Sequence, residues 1–146
     1  MVRFDAYFTT VVFNWAKMMV SFVFIDFQGL SAMTIIYHNP RCGTSRTVLE
    51  ALESGGHAPT IVEYLKTPLS AAQLRKLFSD AGLTARQAIR EKEAIYTELG
   101  LDDPAVSDDQ LIAAIAEHPI LLNRPFVVTS KGTRLCRPAT VVQEIL

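Results

Sequence analysis

The sequence predicts an α/β domain in which a β-α-β unit is followed by helices and then by β-β-α. Short runs rich in β-branched and aromatic residues stand at 34–37, 60–64 and 126–129, each bounded by turn-forming residues. Between the second and third runs, apolar residues recur at spacings of three and four, the period of a helix. The first two runs flank one helical segment within about 30 residues, the unit that places two parallel strands side by side.

Each element carries its own start and stop. Thr34-Ile35-Ile36-Tyr37 is a short buried strand ended by Asn39-Pro40. Residues 45–54 form a helix with Val48, Leu49 and Leu52 as its apolar stripe, and Gly55-Gly56 stops it. Thr60-Ile61-Val62-Glu63-Tyr64 is the second strand. Ser70 caps a helix carrying Leu74, Leu77 and Phe78, closed by Gly82. A second helical segment runs from Thr84 to about Lys92, and a third spans 107–118 with Leu111, Ile112 and Ile115 on one side. Phe126-Val127-Val128-Thr129 follows Asn123-Arg124-Pro125 as a strand, and Lys131-Gly132 turns it into Thr133-Arg134-Leu135-Cys136, a hairpin partner. Pro138 then starts a last helix with Val141, Val142 and Ile145 inward. There is no internal repeat and no low-complexity linker.

The chain of 146 residues is long enough for one domain with a real core. Fourteen basic against 15 acidic residues leave a formal charge of −1, which excludes the electrostatic footprint of a nucleic-acid or anionic-membrane binder. Two cysteines make no disulfide framework and fit a reducing, cytoplasmic compartment. Composition changes near Met33: residues 1–32 hold six of the eight phenylalanines and the single Trp15. Asp5, Lys17 and Asp26 interrupt their apolar runs, none of which reaches the ~18 residues of a membrane span. No stable membrane insertion is expected. This stretch reads as an N-terminal extension, disordered or loosely associated, or as a start-site artefact with translation beginning at Met33. A membrane-associating arm is the alternative, and 33–146 is the folded domain.

Cys42 lies in His38-Asn39-Pro40-Arg41-Cys42-Gly43-Thr44-Ser45-Arg46, between the first strand and the first helix. First-turn N–H groups at Gly43, Thr44 and Ser45 lack intrahelical partners and, with the helix dipole, favour an anion there. Arg41 and Arg46 add positive charge. A cysteine so placed has its pKa lowered and is a reactive thiolate. Spacing then separates the rival chemistries. The position three residues on is Ser45, so no local disulfide forms and an oxidised Cys42 needs an outside thiol. A phosphatase loop would place Arg six residues on, and that residue is Val48. Zinc needs about four ligands, and Cys42 with His38 supplies two at best, so no metal is expected. His38 is open between a neutral core histidine and a support for the thiolate. Arg90, Arg124 and Arg137 flank strand ends and prolines; guanidinium forks suit a tetrahedral oxyanion, but spacing cannot show that they converge.

Three motifs in order resemble one family: Ile36 to Arg46 as written above, Ile120-Leu121-Leu122-Asn123-Arg124-Pro125, and Gly132-Thr133-Arg134-Leu135-Cys136-Arg137-Pro138. Over 33–146 the chain is similar to the glutaredoxin-coupled arsenate reductases of the thioredoxin-like superfamily. The resemblance implies a thioredoxin-like fold, a four-stranded mixed sheet flanked by helices, with a helical insertion between the second and third strands. It implies Cys42 as nucleophile and Arg90, Arg124 and Arg137 as the residues that hold arsenate. His38, Gly43, Thr44, Ser45 and Arg46 become substrate-binding or supporting residues, and Arg124-Pro125 a cis bond. It also implies glutathione as co-substrate, glutaredoxin as partner, and no bound cofactor. Two alternatives remain open: a related thiol oxidoreductase of other substrate, and a non-enzymatic redox regulator, whose usual Cys-X-X-Cys switch Ser45 breaks.

Overall fold

A computed structural model describes residues 33–146, so the expectations for 1–32 fall outside the described residues. The chain runs β1 (Ile35–His38), α1 (Gly43–Ser54), β2 (Thr60–Glu63), α2 (Ala71–Ala81), α3 (Ala85–Ala88), α4 (Ala94–Glu98), α5 (Asp108–Glu117), β3 (Phe126–Thr129) and β4 (Gly132–Leu135). Single 3₁₀ stretches cover Pro119–Leu121 and Ala139–Ile145. The sheet order is β2-β1-β3-β4. β1 pairs parallel with β2 and antiparallel with β3, and β3–β4 is the antiparallel hairpin. This is the four-stranded mixed sheet expected, with four helices between β2 and β3.

Alternation along the strands splits the core between the two faces of the sheet. Ile36 and Val127, paired across β1 and β3, pack on one face with Val48 and Leu52 of α1, Cys136, Val142 and Ile145. Phe126, one residue away, packs on the other face against Phe78, Leu111, Ile115 and Tyr64. Both faces are therefore covered, as a sheet with a parallel pair requires.

The helices after β2 owe their starts to one repeated device. Ser70, Thr84 and Ser107 each accept a hydrogen bond from the backbone N–H three residues on, and Gln73, Gln87 and Gln110 there reach back to the cap's own N–H. Each is a capping box, which satisfies two orphan donors at once. Gly82 closes α2 at φ 66°, a left-handed position that suits glycine.

The helical segment expected from Thr84 to Lys92 is shorter and is followed by a second helix. It ends after Ala88, because Ile89 turns extended and forms an isolated antiparallel bridge with Leu122. Arg90 N–H donates to the Leu121 carbonyl (2.7 Å) and Asn123 N–H to that of Ala88 (2.9 Å). The expected last helix is a 3₁₀ stretch with Val142 and Ile145 buried and Val141 only partly so. Arg124-Pro125 is cis, as is Arg137-Pro138, the latter unforeseen. Among the described residues, no helix is long and apolar enough to cross a membrane.

Candidate active site

Cys42 is the N-cap residue of α1, in extended backbone, and no side chain caps the helix in its place. Its own N–H is held by the Asn39 carbonyl (3.0 Å), and its carbonyl accepts from Arg46 N–H (3.1 Å). The loop is thus folded back on itself while the thiol stays partly exposed. Ser45, fully buried, accepts at Oγ from Asn39 N–H (3.1 Å) and pairs with His38 Nδ1 (2.9 Å). Asn39 Oδ1 in turn accepts from Arg41 N–H (2.9 Å), and Arg46 Nη1 donates to the Pro40 carbonyl (3.0 Å). These bonds make His38, Asn39 and Ser45 the scaffold of the Cys42 loop. Arg41 and Arg46 are exposed at its rim, Gly43 is exposed, and Thr44 is partly buried on the first turn of α1.

Burial raises the Cys42 thiol pKa, but the opposing influences win and hold it below the ordinary thiol value. They are the Ser45 backbone N–H, the guanidinium of Arg124 through hydrogen bonding and charge, and hydrogen bonding from Arg137. Burial is also the main influence on His38, whose pKa is lowered despite Glu63 and Ser45, which push it up. A neutral imidazole is therefore favoured beside Ser45.

The structure brings Arg124 and Arg137 to the thiol from the two ends of the β3–β4 hairpin. Arg124 is 7% exposed; its Nη1 donates to the Ile120 carbonyl (3.4 Å) and its Nε is buried without a partner. Arg137, exposed, donates from Nη1 to the Arg124 carbonyl (3.4 Å). Arg90 joins them through a residue that sequence reasoning missed. Glu93 Oε1 accepts from Arg90 Nε at 2.5 Å and lies 3.6 Å from Arg124 Nη1. One carboxylate thus bridges two of the three arginines. Tyr64 was also missed. Its Oη is buried with no well-formed hydrogen bond, and burial raises its pKa against the influence of Arg124 and Asn39. Glu93 stands at the start of a short helix with no motif to mark it, and Tyr64 reads as a strand end, so neither offered a signal.

Arg90 and Arg137 also line a cleft of about 370 Å³ with Arg86, Gln87, Ile89, Glu91, Lys92 and Asn123. Cys136 takes no part in this surface. It is fully buried on the opposite core face, and burial pushes its pKa up to about 12. Among the described residues, no group of three or more His, Cys, Asp or Glu is placed to hold a metal ion. A thiol biased toward the thiolate, with two guanidiniums beside it and a third tied to them, can attack an electrophilic centre carrying negatively charged oxygens.

Residues 37–145 match the model of the ArsC family. The chain is 59% identical to an arsenate reductase of Rhizobium meliloti (strain 1021) over 115 residues, 78% of this chain and 82% of that protein. Identity to an arsenate reductase of Escherichia coli (strain K12) is 52% over 111 residues, 76% of this chain and 79% of that protein. Among solved structures, an arsenate reductase from Vibrio cholerae superposes with a TM-score of 0.76 at 45% identity, covering 80% of this chain and 99% of that one. The fold is the thioredoxin-like one of these proteins, and matches of this extent and identity leave one assignment: the chain belongs to the ArsC family.

Proposed function

We propose that the protein reduces arsenate to arsenite, with Cys42 as the nucleophile and glutathione and glutaredoxin as reductants, in the cytoplasm. The observation that carries this reading is the approach of Arg124 and Arg137 to a depressed-pKa thiol, while the other cysteine, Cys136, is buried in the core and not bonded to it. The family and the named relatives supply arsenate as the substrate.

The Cys42 thiolate attacks arsenic, an S–As bond forms, and one arsenate oxygen leaves as water. Arg90, Arg124 and Arg137 neutralise the remaining oxygens, and the unfilled Nε of Arg124 offers a buried donor for one of them. Gly43, Thr44 and Ser45 present first-turn N–H groups toward the same charge, and Arg46 reinforces it from the rim. His38 acts through Ser45, keeping the loop in register. Glutathione then adds its sulfur to arsenic with loss of a second water. A glutaredoxin thiolate takes that sulfur as a mixed disulfide, and the electron pair of the As–S bond stays on arsenic, which is reduced by two electrons. Water then releases arsenite from Cys42. No step requires a bound cofactor.

The test is arsenite formation by the whole chain with glutathione and glutaredoxin both present, and with each left out in turn. Arsenite should appear at a turnover rate only with both. Equal rates without glutaredoxin would remove it from the scheme, and no arsenite under any condition would reject arsenate as the substrate.

A further inference from the structure

We propose that the cleft flanking Arg137 binds the external thiol as a small carboxylated peptide thiol of glutathione's class, with Lys92 receiving one of its carboxylates. The proposal rests on the reading above that an outside thiol completes the chemistry of Cys42. Three observations support it. The first is size. The cleft, about 370 Å³, lies in the range of about 300–1,000 Å³ typical of small-molecule sites, whereas a tetrahedral oxyanion fills only a corner of it. The second is position: Arg137 stands both in the cleft wall and beside the Cys42 thiol, so a ligand there meets a residue that also reaches the reacting sulfur.

The third is chemistry. Arg90, tied to Glu93 at Nε, and Arg137 are the arginines of this wall assigned above to the oxyanion, and Arg86 spends its donors on the carbonyls of Leu101, Asp103 and Val106. Lys92 is exposed and has no partner among the described residues. It is the cation of this wall left to receive a ligand carboxylate, with Glu91 as the one acidic side chain lining the cleft. The Asn123 and Gln87 side-chain oxygens accept bonds from the Arg124 and Thr84 N–H groups, which leaves both amide nitrogens to donate to peptide carbonyls. Glutathione carries more carboxylates than amines and two peptide-like amides, and matches this wall.

The experiment measures mixed-disulfide formation on Cys42 without arsenate. The thiolate attacks a disulfide, a new S–S bond forms, and the displaced sulfur leaves as a thiolate. Oxidised glutathione and the uncharged 2-hydroxyethyl disulfide are compared for wild type, Lys92→Ala and Lys92→Glu. Reversing the charge should slow the glutathione reaction about three- to tenfold, with the alanine variant between, as loss of one exposed ion pair allows. The rate with 2-hydroxyethyl disulfide should stay the same. Unchanged rates with both disulfides, or equal slowing of both, overturn the proposal. Arsenate turnover by the same preparations separates the two readings. Charge-selective disulfide rates without arsenate turnover leave the cleft standing and reject the reductase. Normal turnover without charge selectivity does the reverse.

Discussion

Cys42 draws its reactivity from groups that come from three stretches of chain: its own helix start, the approach to β3 and the exit from β4. The loop was legible in the sequence, because Asn39-Pro40 ends a strand and Gly43 opens a helix, and donors at a helix start follow from geometry alone. Convergence of Arg124 and Arg137 was not legible, since it depends on the pairing of β1 with β3. Alkylation of Cys42 by iodoacetamide should titrate with a midpoint below that of a free cysteine thiol measured alongside it. Arg124→Gln removes the charge and should move that midpoint upward; an unmoved midpoint would mean the arginine does not act on the thiol. His38 gives a second pH test. Its folded pKa lies below the ordinary 6.5, so the unfolded chain takes up a proton first as pH falls. The stability this shift contributes is present above 6.5 and is lost as pH drops from there toward the folded value. Urea midpoints measured from pH 8 to 5 should show the fall for wild type and a weaker one for His38→Ala. That variant should also lose about 1–3 kcal/mol at neutral pH, as buried Ser45 Oγ loses a partner.

At the scale of elements, the break after Ala88 matters most. Periodicity from Thr84 to Lys92 reads as one helix, and propensity is a weak prior that a tertiary pairing overrides. The Ile89–Leu122 bridge is such a pairing, formed between segments more than 30 residues apart. It delivers Arg90 next to the chain that carries Arg124, and lets Glu93 span the two. Glu93→Ala should therefore raise the arsenate KM several-fold while kcat changes little, because the carboxylate fixes guanidiniums rather than touching the reacting atoms. A fall in kcat with KM unmoved would contradict that role. The three capping boxes were legible as Ser/Thr-X-X-Gln, although only Ser70 was singled out as a cap. Ser107→Ala, far from the thiol in sequence, should cost about 1 kcal/mol by urea unfolding and leave the alkylation rate of Cys42 unchanged.

For the molecule as a whole, the strand order and the two-faced core follow from short alternating strands whose sides were readable but whose partners were not. Ile36 and Val127 were plainly apolar; their meeting across β1 and β3 required the fold. The same arrangement separates the two thiols, placing Cys42 at a rim lined by arginines and Cys136 inside the core on the α1 face. Burial that pushes the Cys136 pKa up to about 12 leaves it a neutral thiol at physiological pH, unfit to resolve an adduct on Cys42. The proposed reaction accordingly runs on one sulfur, Cys42, with the reductant supplied from outside. Arsenate-dependent thiol oxidation by the whole chain, with glutathione and glutaredoxin supplied, tests that assignment most directly when wild type, Cys42→Ser and Cys136→Ser are compared. Wild type and Cys136→Ser should turn over at similar rates while Cys42→Ser shows none above background. Loss of turnover in Cys136→Ser comparable to that in Cys42→Ser, with both proteins folded, would contradict it.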